Sequence, residues 1–506
     1  MTKPSEKLAS SLELLARFQN KNGIAVIRSG YLPRSHKDRL VSKGFLREVM
    51  KGWYISSRSD EVEGDSTSWY VSYWDFISVY LKERFENDWC LSPEQSLNIH
   101  SGNKAIPKQL LVRSPKAGNN KVSLLFNTSL FDLTSSIPPK KDITEKDGLN
   151  LFSIPSALIS CSPGFFTQHP TDARTVLSMI TDASELLYKL LDGGHTTIAG
   201  RLAGAFRNIG NDPIADEILS AFKSADYDIR ESDPFELKPP VISITRENSQ
   251  YVKRIKWMWQ HMRGHIIERF PDPPGVPKNI AEYLGEVDEL YVTDAYHSLS
   301  IEGYRVSPEL IEKVKSGRWN PAEDESDRKQ VDALAARGYW QAFQSVKSSI
   351  RSIMAGNNPG MIAENDHRDW YRELFAPSVA AGILKTSDLA GYRNSQVYIK
   401  ESMYTPPGMM AVRDSMPALF ELLKNEKEPS VRALLGHFFF VYIHPYTDGN
   451  GRIARFLMNA MFASGGYPWM VIRVEDRKEY MESLEKASVD QDITAFTEFI
   501  VKINRK

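Results

Sequence analysis

Residues 444–455, HPYTDGNGRIAR, constrain this chain more than any other stretch. They join two strongly apolar segments, SVRALLGHFFFVYI before and RIARFLMNAMFASGG after, which read as buried helices meeting at a tight turn. Gly449-Asn450-Gly451 stands where the second helix begins. Two glycines let the backbone turn sharply and bare its N–H groups, and a helix N-terminus adds partial positive charge, so the turn suits a phosphate. Arg452 and Arg455 add fixed cations with forked donors. Asp448 offers a hard oxygen ligand for Mg²⁺. His444, on the preceding turn, is a side chain able to take a proton from a hydroxyl near neutral pH. A base, a metal ligand, a phosphate cradle and two arginines within twelve residues compose a phosphoryl- or nucleotidyl-transfer site.

The stretch resembles the signature of the Fic family, His-Pro-Phe/Tyr-x-Asp/Glu-Gly-Asn-Gly-Arg-x-x-Arg, at every defining position. The resemblance spans about residues 245–506 and implies a mostly helical domain that transfers AMP from ATP to a protein hydroxyl. On that resemblance His444 deprotonates a target Tyr, Thr or Ser. Asp448 holds Mg²⁺ against the α- and β-phosphates, Asn450, Gly451 and Arg452 support the phosphates, and pyrophosphate leaves. Tyr446 packs beneath the loop. Relatives that phosphorylate instead tend to replace the two glycines of the loop with Ala and Lys. Gly449 and Gly451 therefore favour AMP transfer. Asn459 and Tyr480 correspond to positions that line the adenine pocket in relatives, and read equally well as core packing. His437, seven residues before His444, reads as a structural partner.

Ser298-Leu299-Ser300-Ile301-Glu302-Gly303 resembles the family's inhibitory motif, Ser/Thr-x-x-x-Glu-Gly/Asn. The resemblance implies that Glu302, at the end of a helix expected over about 284–303, pairs with Arg455. That arginine would otherwise hold the γ-phosphate, so ATP would bind with its α-phosphate misplaced. A misplacement of about 1 Å costs on the order of a hundredfold in rate. Gly303 also fits a left-handed helix cap. Residues 396–404 read as a hairpin, with Val397-Tyr398-Ile399 and Met403-Tyr404 as strands. It resembles the family's flap, where Glu401, Ser402, Met403 and Tyr404 would receive a target segment through main-chain hydrogen bonds.

The first 59 residues hold twelve lysines and arginines against four acids, a balance of +8 on a chain whose net charge is −1. Such asymmetry points to a polyanion or to a solvated charged face. Leu8, Leu12, Leu15 and Phe18 recur at helical spacing, and residues 34–43 form a basic helix with Ser35 as its N-cap. Residues 45–49 and 53–55 read as strands around Lys51-Gly52. Helix, helix, basic helix and hairpin is the layout of a winged helix, with the basic helix entering a groove. Gly30-Tyr31, residues 35–40, Lys43-Gly44-Phe45-Leu46 and Lys51-Gly52-Trp53-Tyr54 resemble AbiEi-type antitoxins. Residues 69–235 resemble the α+β companion region of those proteins, through residues 92–97 and 200–207. The glycines of Gly200 to Arg207 read as close helix packing, because no phosphate-loop pattern follows a strand here.

At 506 residues the chain is expected to form about three domains: 1–59, 60–235 and 240–506, with a proline-rich boundary at 232–242. Hydrophobic residues at 42% and charged residues at 25% exclude collagenous and wholly disordered classes. Cys90 and Cys161 are too few and too far apart for a disulfide framework or a zinc ribbon. No signal core or membrane-spanning run is visible, so the expected setting is cytoplasmic, without a membrane partner. The overall expectation is a mainly α, multidomain, self-inhibited protein adenylyltransferase that uses ATP and Mg²⁺. Its expected partners are a hydroxyl-bearing protein target and DNA through residues 1–59, with a second copy of the chain as a further candidate. The competing readings are a DNA-binding regulator whose Fic module senses nucleotide, the same enzyme with another nucleotide or phosphocholine donor, and removal of AMP at the same site with Glu302 orienting a water.

Overall fold

Periodicity and turn chemistry make most of this chain helical. The computed structural model describes residues 4–22, 26–61, 64–236, 249–316 and 331–504. They divide into two compact units, one of residues 1–246 with 398–405, the other of 247–397 with 406–506. The two regions expected over 1–59 and 60–235 thus combine in one unit. The boundary expected at 232–242 lies mostly outside the described residues.

In the N-terminal unit, helix Pro4–Asn22 is followed by strand Val26–Arg28, helix Arg34–Ser42 and strands Leu46–Met50 and Trp53–Ser56. The three strands form one antiparallel sheet with Trp53–Ser56 in the centre. The second helix expected before the basic one is absent among the described residues. Val26 and Ile27 instead pair with Ile55 and Tyr54 as an edge strand, because β-branched residues fit a pleated, half-buried surface. The basic excess is also less free than its count suggests. Arg39 donates to the Lys7 carbonyl and to Ser11, Arg28 pairs with Glu83, and Arg47 pairs with Glu61.

Farther along this unit, strands Cys90–Leu91, Gln109–Ser114, Ser129–Thr134 and Asn120–Ser123 lie in that order in a four-stranded sheet, the middle pair parallel. The Ser92 hydroxyl accepts from the Gln95 N–H and caps helix Pro93–His100. Helix Thr196–Asn208 carries the glycines read as packing residues, and a methyl group on Gly200 or Gly204 would collide with the backbone at Arg230 or Ser232. Residues 398–405 also fall in this unit. They form no strands, so the expected hairpin is not there. Tyr404 is buried and the Met403 carbonyl accepts from the Ile106 N–H. Pro406 and Pro407, which end the segment, lack the N–H groups that a continuing ladder needs.

The C-terminal unit is built around helix Pro429–Ile443, apolar on all sides and buried almost throughout. A helix that is hydrophobic all round belongs in a core. Helix Asn450–Ala463 follows it, with Gln250–Arg269, Val331–Met354 and Met409–Asn425 among the helices packed around the pair. Helix Ile280–Ile301 covers most of the helix expected over about 284–303. Helix Pro359–Ala380 had no counterpart in the sequence reading. Its charged stretch ENDHRD masks the buried series Ala363, His367, Trp370, Tyr371 and Leu374. This helix forms the floor of the 444–455 turn.

Gly338, in helix Val331–Met354, lies against the Leu374 carbonyl of the floor helix, where a methyl group would collide with backbone. Gly338→Ala should cost at least about 1–3 kcal/mol, the range for overpacking. Gly264→Ala, mid-helix with open space around it, should stabilise by about 0.5–1 kcal/mol. Denaturant unfolding of both variants checks the pair of signs.

Candidate functional site

The turn at 444–455 is held by its own side chains. His444 ends helix Pro429–Ile443 in the left-handed region, at φ 52° and ψ 60°. Its Nδ1 lies 3.2 Å from the Val441 carbonyl. A carbonyl oxygen only accepts, so Nδ1 carries the proton and Nε2 keeps its lone pair. That is the tautomer a general base needs. Burial, with Arg393 nearby, pushes the imidazole down to about 4 against the pull of Val441, Glu302 and Asp448. His444 is therefore neutral at physiological pH.

Tyr446 stacks on Tyr371 of the floor helix, with ring centroids 3.8 Å apart and planes 3° from parallel. The Asn450 side chain accepts from the Tyr446 N–H at 2.9 Å and donates to the Tyr446 carbonyl at 2.8 Å. It closes the loop as a strand partner would. The side-chain amide of Asn450, expected at a phosphate, is thus engaged within the loop. Gly449 begins the next helix at φ 81°, and a Cβ there would meet the Phe375 ring. Conformation and space both demand glycine.

The charges converge on Gly451. Arg452 is buried between the rings of Phe375 and Tyr304, at 5.0 and 5.1 Å, and reaches Asp448 Oδ2 at 3.3 Å. Arg455 donates to the Ser298 hydroxyl at 2.9 Å, the Ser298 carbonyl at 3.0 Å and Glu302 Oε1 at 2.7 Å. Two buried donors, Arg452 Nε and Arg455 Nη1, have no hydrogen-bond partner. A methyl group on Gly451 would collide with Glu302 Oε1 and press on Arg455 Nη1. The Glu302 carboxylate thus lies directly over the glycine turn, where an anion belongs. Burial pushes its carboxyl up, but Arg455 and Arg452 more than offset this and hold it below the usual range. Burial likewise opposes the Arg455 charge, and Glu302 more than restores it.

Glu302 and Gly303 are positioned by the end of helix Ile280–Ile301. Gly303 adopts φ 91°, and the Tyr304 N–H returns to the Leu299 carbonyl, closing a helix cap. The capping role and the glutamate's placement coexist. Arg477 donates to the Ile301 carbonyl at 2.9 Å and pins the same helix end. Four residues before Ser298, buried Asp294 accepts from Tyr339 at 2.6 Å, and burial raises its carboxyl to about 6.

Other residues singled out in the sequence are placed differently. The Asn459 amide is spent on both backbone groups of Met470, at 2.7 and 3.0 Å. The Tyr480 hydroxyl lies 2.7 Å from His437 Nε2, inside the core. Burial lowers His437 to about 3 and raises Tyr480 to about 12. Asn459 and Tyr480 are both engaged inside the core, and His437 has the structural place expected of it. Glu401, Ser402, Met403 and Tyr404 belong to the N-terminal unit, as described above. Sequence reasoning missed Arg393, which donates to the His444 carbonyl at 2.8 Å. Its one available signal was a lone arginine in the polar link after Gly391-Tyr392.

Asp448 is the metal-ligand candidate. Its side chain is 65% exposed, with Oδ1 accepting from the Gly449 N–H at 2.6 Å. No cluster of three or more His, Cys, Asp or Glu suited to a metal occurs among the described residues. One exposed carboxylate beside a phosphate cradle fits Mg²⁺, which is commonly bound through one or two carboxylates plus substrate phosphates.

A match to the Fic/DOC family covers residues 362–462. The matched stretch holds most of the floor helix and the whole turn, and Glu302 lies before it. The chain is similar to Protein adenylyltransferase Fic of Nematostella vectensis, at 27% identity over 259 residues, 50% of this chain and 56% of that protein. It is similar to Protein adenylyltransferase fic-1 of Caenorhabditis elegans, at 28% over 221 residues, 42% of this chain and 40% of that one. The Fic adenylyltransferase of Drosophila mojavensis is 34% identical over 223 residues, 43% and 40% of the two chains. The chain thus spans about half the length of these curated relatives or less. Among solved structures, residues 134–508 of C. elegans Fic-1 align at 18% identity over 67% of this chain and 86% of that one, with a TM-score of 0.35.

The Glu302–Arg455 pair should register in stability. In a cycle of Glu302→Gln, Arg455→Met and the double variant, thermal unfolding without nucleotide should give a coupling of about 1–3 kcal/mol. Additive effects would contradict the pairing.

Proposed function

We propose that this chain is a self-inhibited protein adenylyltransferase, transferring AMP from ATP to a Tyr, Thr or Ser hydroxyl of a protein target. The observation that carries the reading is the pair of unpartnered guanidinium donors, Arg452 Nε and Arg455 Nη1, beside a left-handed glycine turn and a neutral imidazole with a free Nε2. The similarity to adenylyltransferases of the same family supports the choice of donor.

In this mechanism the triphosphate lies on the N-terminus of helix Asn450–Ala463, and Arg452 and Arg455 complete its hydrogen bonds. His444 Nε2 takes the proton as the target oxygen bonds to the α-phosphorus. The bond from the α-phosphorus to its β-bridging oxygen breaks, and pyrophosphate leaves. The neutral state of His444 keeps it competent without a proton to shed first. Asp448 would hold Mg²⁺, which when bound neutralises phosphate charge. Phosphoryl chemistry of this kind rests on positioning and electrostatics, which is why the cradle matters more than any nucleophile of the enzyme.

Inhibition follows from the anion already present. With Glu302 over Gly451 and bound to Arg455, the terminal phosphate loses its cation, and the α-phosphate is held out of line. Incubation with Mg²⁺ and α-labelled ATP should give label at least about tenfold stronger in Glu302→Gly than in wild type, and none in His444→Ala. Label in His444→Ala would remove the proposed base. Equal label in wild type and Glu302→Gly would remove the brake. No label in any protein despite ATP binding would favour another donor or a nucleotide-sensing regulator.

The N-terminal layout of helices and a three-stranded sheet supports DNA binding by a winged helix as a second activity. Helix Arg34–Ser42 exposes Arg34, Ser35, Asp38, Val41 and Ser42, with Lys43 and the Lys51 turn exposed beside it. Because Arg28, Arg39 and Arg47 are engaged internally, few phosphate contacts are available. The logarithm of affinity should fall with the logarithm of salt at a slope of only about −2 to −4, and Lys43→Glu should flatten it by roughly one. A gel-shift titration over several salt concentrations reads the slope, and no shift at low salt would exclude the activity.

A further inference from the structure

Arg393 is 3% exposed, in the link between helices Pro359–Ala380 and Met409–Asn425. Its Nε donates to the His444 carbonyl at 2.8 Å and its backbone N–H to the Pro445 carbonyl at 2.9 Å. Nη1 donates to the Ser395 carbonyl at 2.8 Å, and Nη2 donates to the Pro407 carbonyl. One side chain thus joins the residue that carries the imidazole to Ser395 and Pro407, which flank residues 398–405. Gln396 reinforces the closure by donating to the Pro406 carbonyl at 2.8 Å.

Guanidinium geometry makes this arrangement specific. Its planar fork can serve three separated carbonyls at once, whereas a lysine ammonium is a compact donor on a flexible stem. One of the carbonyls it serves, that of His444, caps a helix end and has no intrahelical donor. His444 also sits in the left-handed region, which is unfavourable for a non-glycine residue unless its surroundings impose it. Arg393 contacts the carbonyls of His444 and Pro445 at this point of the backbone.

We propose that Arg393 is a positioning residue for His444, fixing the left-handed turn that aims Nε2 and tying that turn to Ser395 and Pro407. The proposal rests on the reading of His444 as the base. It differs from a simple packing role because Arg393 acts on His444 electrically as well. The charged and titratable groups that face His444 are Arg393, Glu302 and Asp448, with the Val441 carbonyl on Nδ1. Of these Arg393 alone favours the neutral imidazole through its charge, so its removal raises the His444 pKa.

The test uses the full chain carrying Glu302→Gly, with Arg393→Lys and Arg393→Met added singly. In steady-state AMP transfer both should lower kcat, by on the order of a hundredfold, while KM for ATP changes less than about threefold. In the pH profile the acid limb should move upward in Arg393→Met and stay in place in Arg393→Lys, which keeps the charge and loses the fork. Unchanged kcat in both variants overturns the proposal. So does an unmoved acid limb in Arg393→Met accompanied by equal loss of ATP binding, which assigns a purely structural role. Should Arg393→Met not fold, titration of the His444 ring in Arg393→Gln by NMR replaces it, with the same upward shift expected and an unmoved value decisive against. An inactive Glu302→Gly parent would instead count against the AMP-transfer reading itself.

Discussion

A buried guanidinium needs an anion, and in this molecule Arg455 has one. Its side chain is 5% exposed, pinned by Ser298 on one edge and Glu302 on the other. Removing one partner of a buried pair leaves an uncompensated charge, a cost commonly of about 3–5 kcal/mol. Helix Ile280–Ile301 and helix Asn450–Ala463 are tied together at Arg455 through Ser298 and Glu302, with Arg477 and the Gly303 cap holding the glutamate's helix end in place. The Glu302 side chain is still 26% exposed, so the anion that balances Arg455 borders solvent. On the proposed function, a triphosphate supplies a stronger anion to the same cation, and the structure's charge balance becomes its regulation.

The same economy shapes the turn. Asn450 is spent on Tyr446, Tyr446 on the face of Tyr371, and Gly449 on the close approach of Phe375. What remains for a ligand is backbone N–H, two arginine donors and one free imidazole nitrogen. A rigid frame of this sort costs no reorganisation at the moment of reaction, which is where electrostatic catalysis draws its advantage. On the proposed function His444 belongs to the frame as much as to the chemistry, because its left-handed backbone ends the preceding helix.

Much of this was legible in the sequence. The helices on either side of 444–455 announce themselves by apolar density. The turn announces itself by glycines and charges in a fixed order, and Glu302 by its place before a helix-capping glycine. The parts that were not legible share a physical cause: they depend on partners distant in sequence. Helix Pro359–Ala380 hid its buried face under charged neighbours, and its role as floor is visible only once Phe375 meets Gly449. Arg393 carries no local pattern, since its function consists of carbonyls at 395, 407 and 444. Asn459 and Tyr480 turn their polar groups inward, to Met470 and His437. The hairpin expected at 396–404 failed because alternation alone does not make a ladder. Its residues use their backbone on Ile106 and Thr67 instead.

The central claim is that Glu302 and a nucleotide's phosphates compete for one cradle and one cation. Calorimetric titration of a non-transferable ATP analogue into wild type, Glu302→Gly and the Glu302→Gly/Arg455→Ala pair tests it without relying on turnover. The account predicts at least about tenfold tighter binding to Glu302→Gly than to wild type, a difference of about 1.4 kcal/mol, with the gain lost in the double variant. Equal affinity in all three would contradict it, because the carboxylate over Gly451 would then be occupying a place that no phosphate uses.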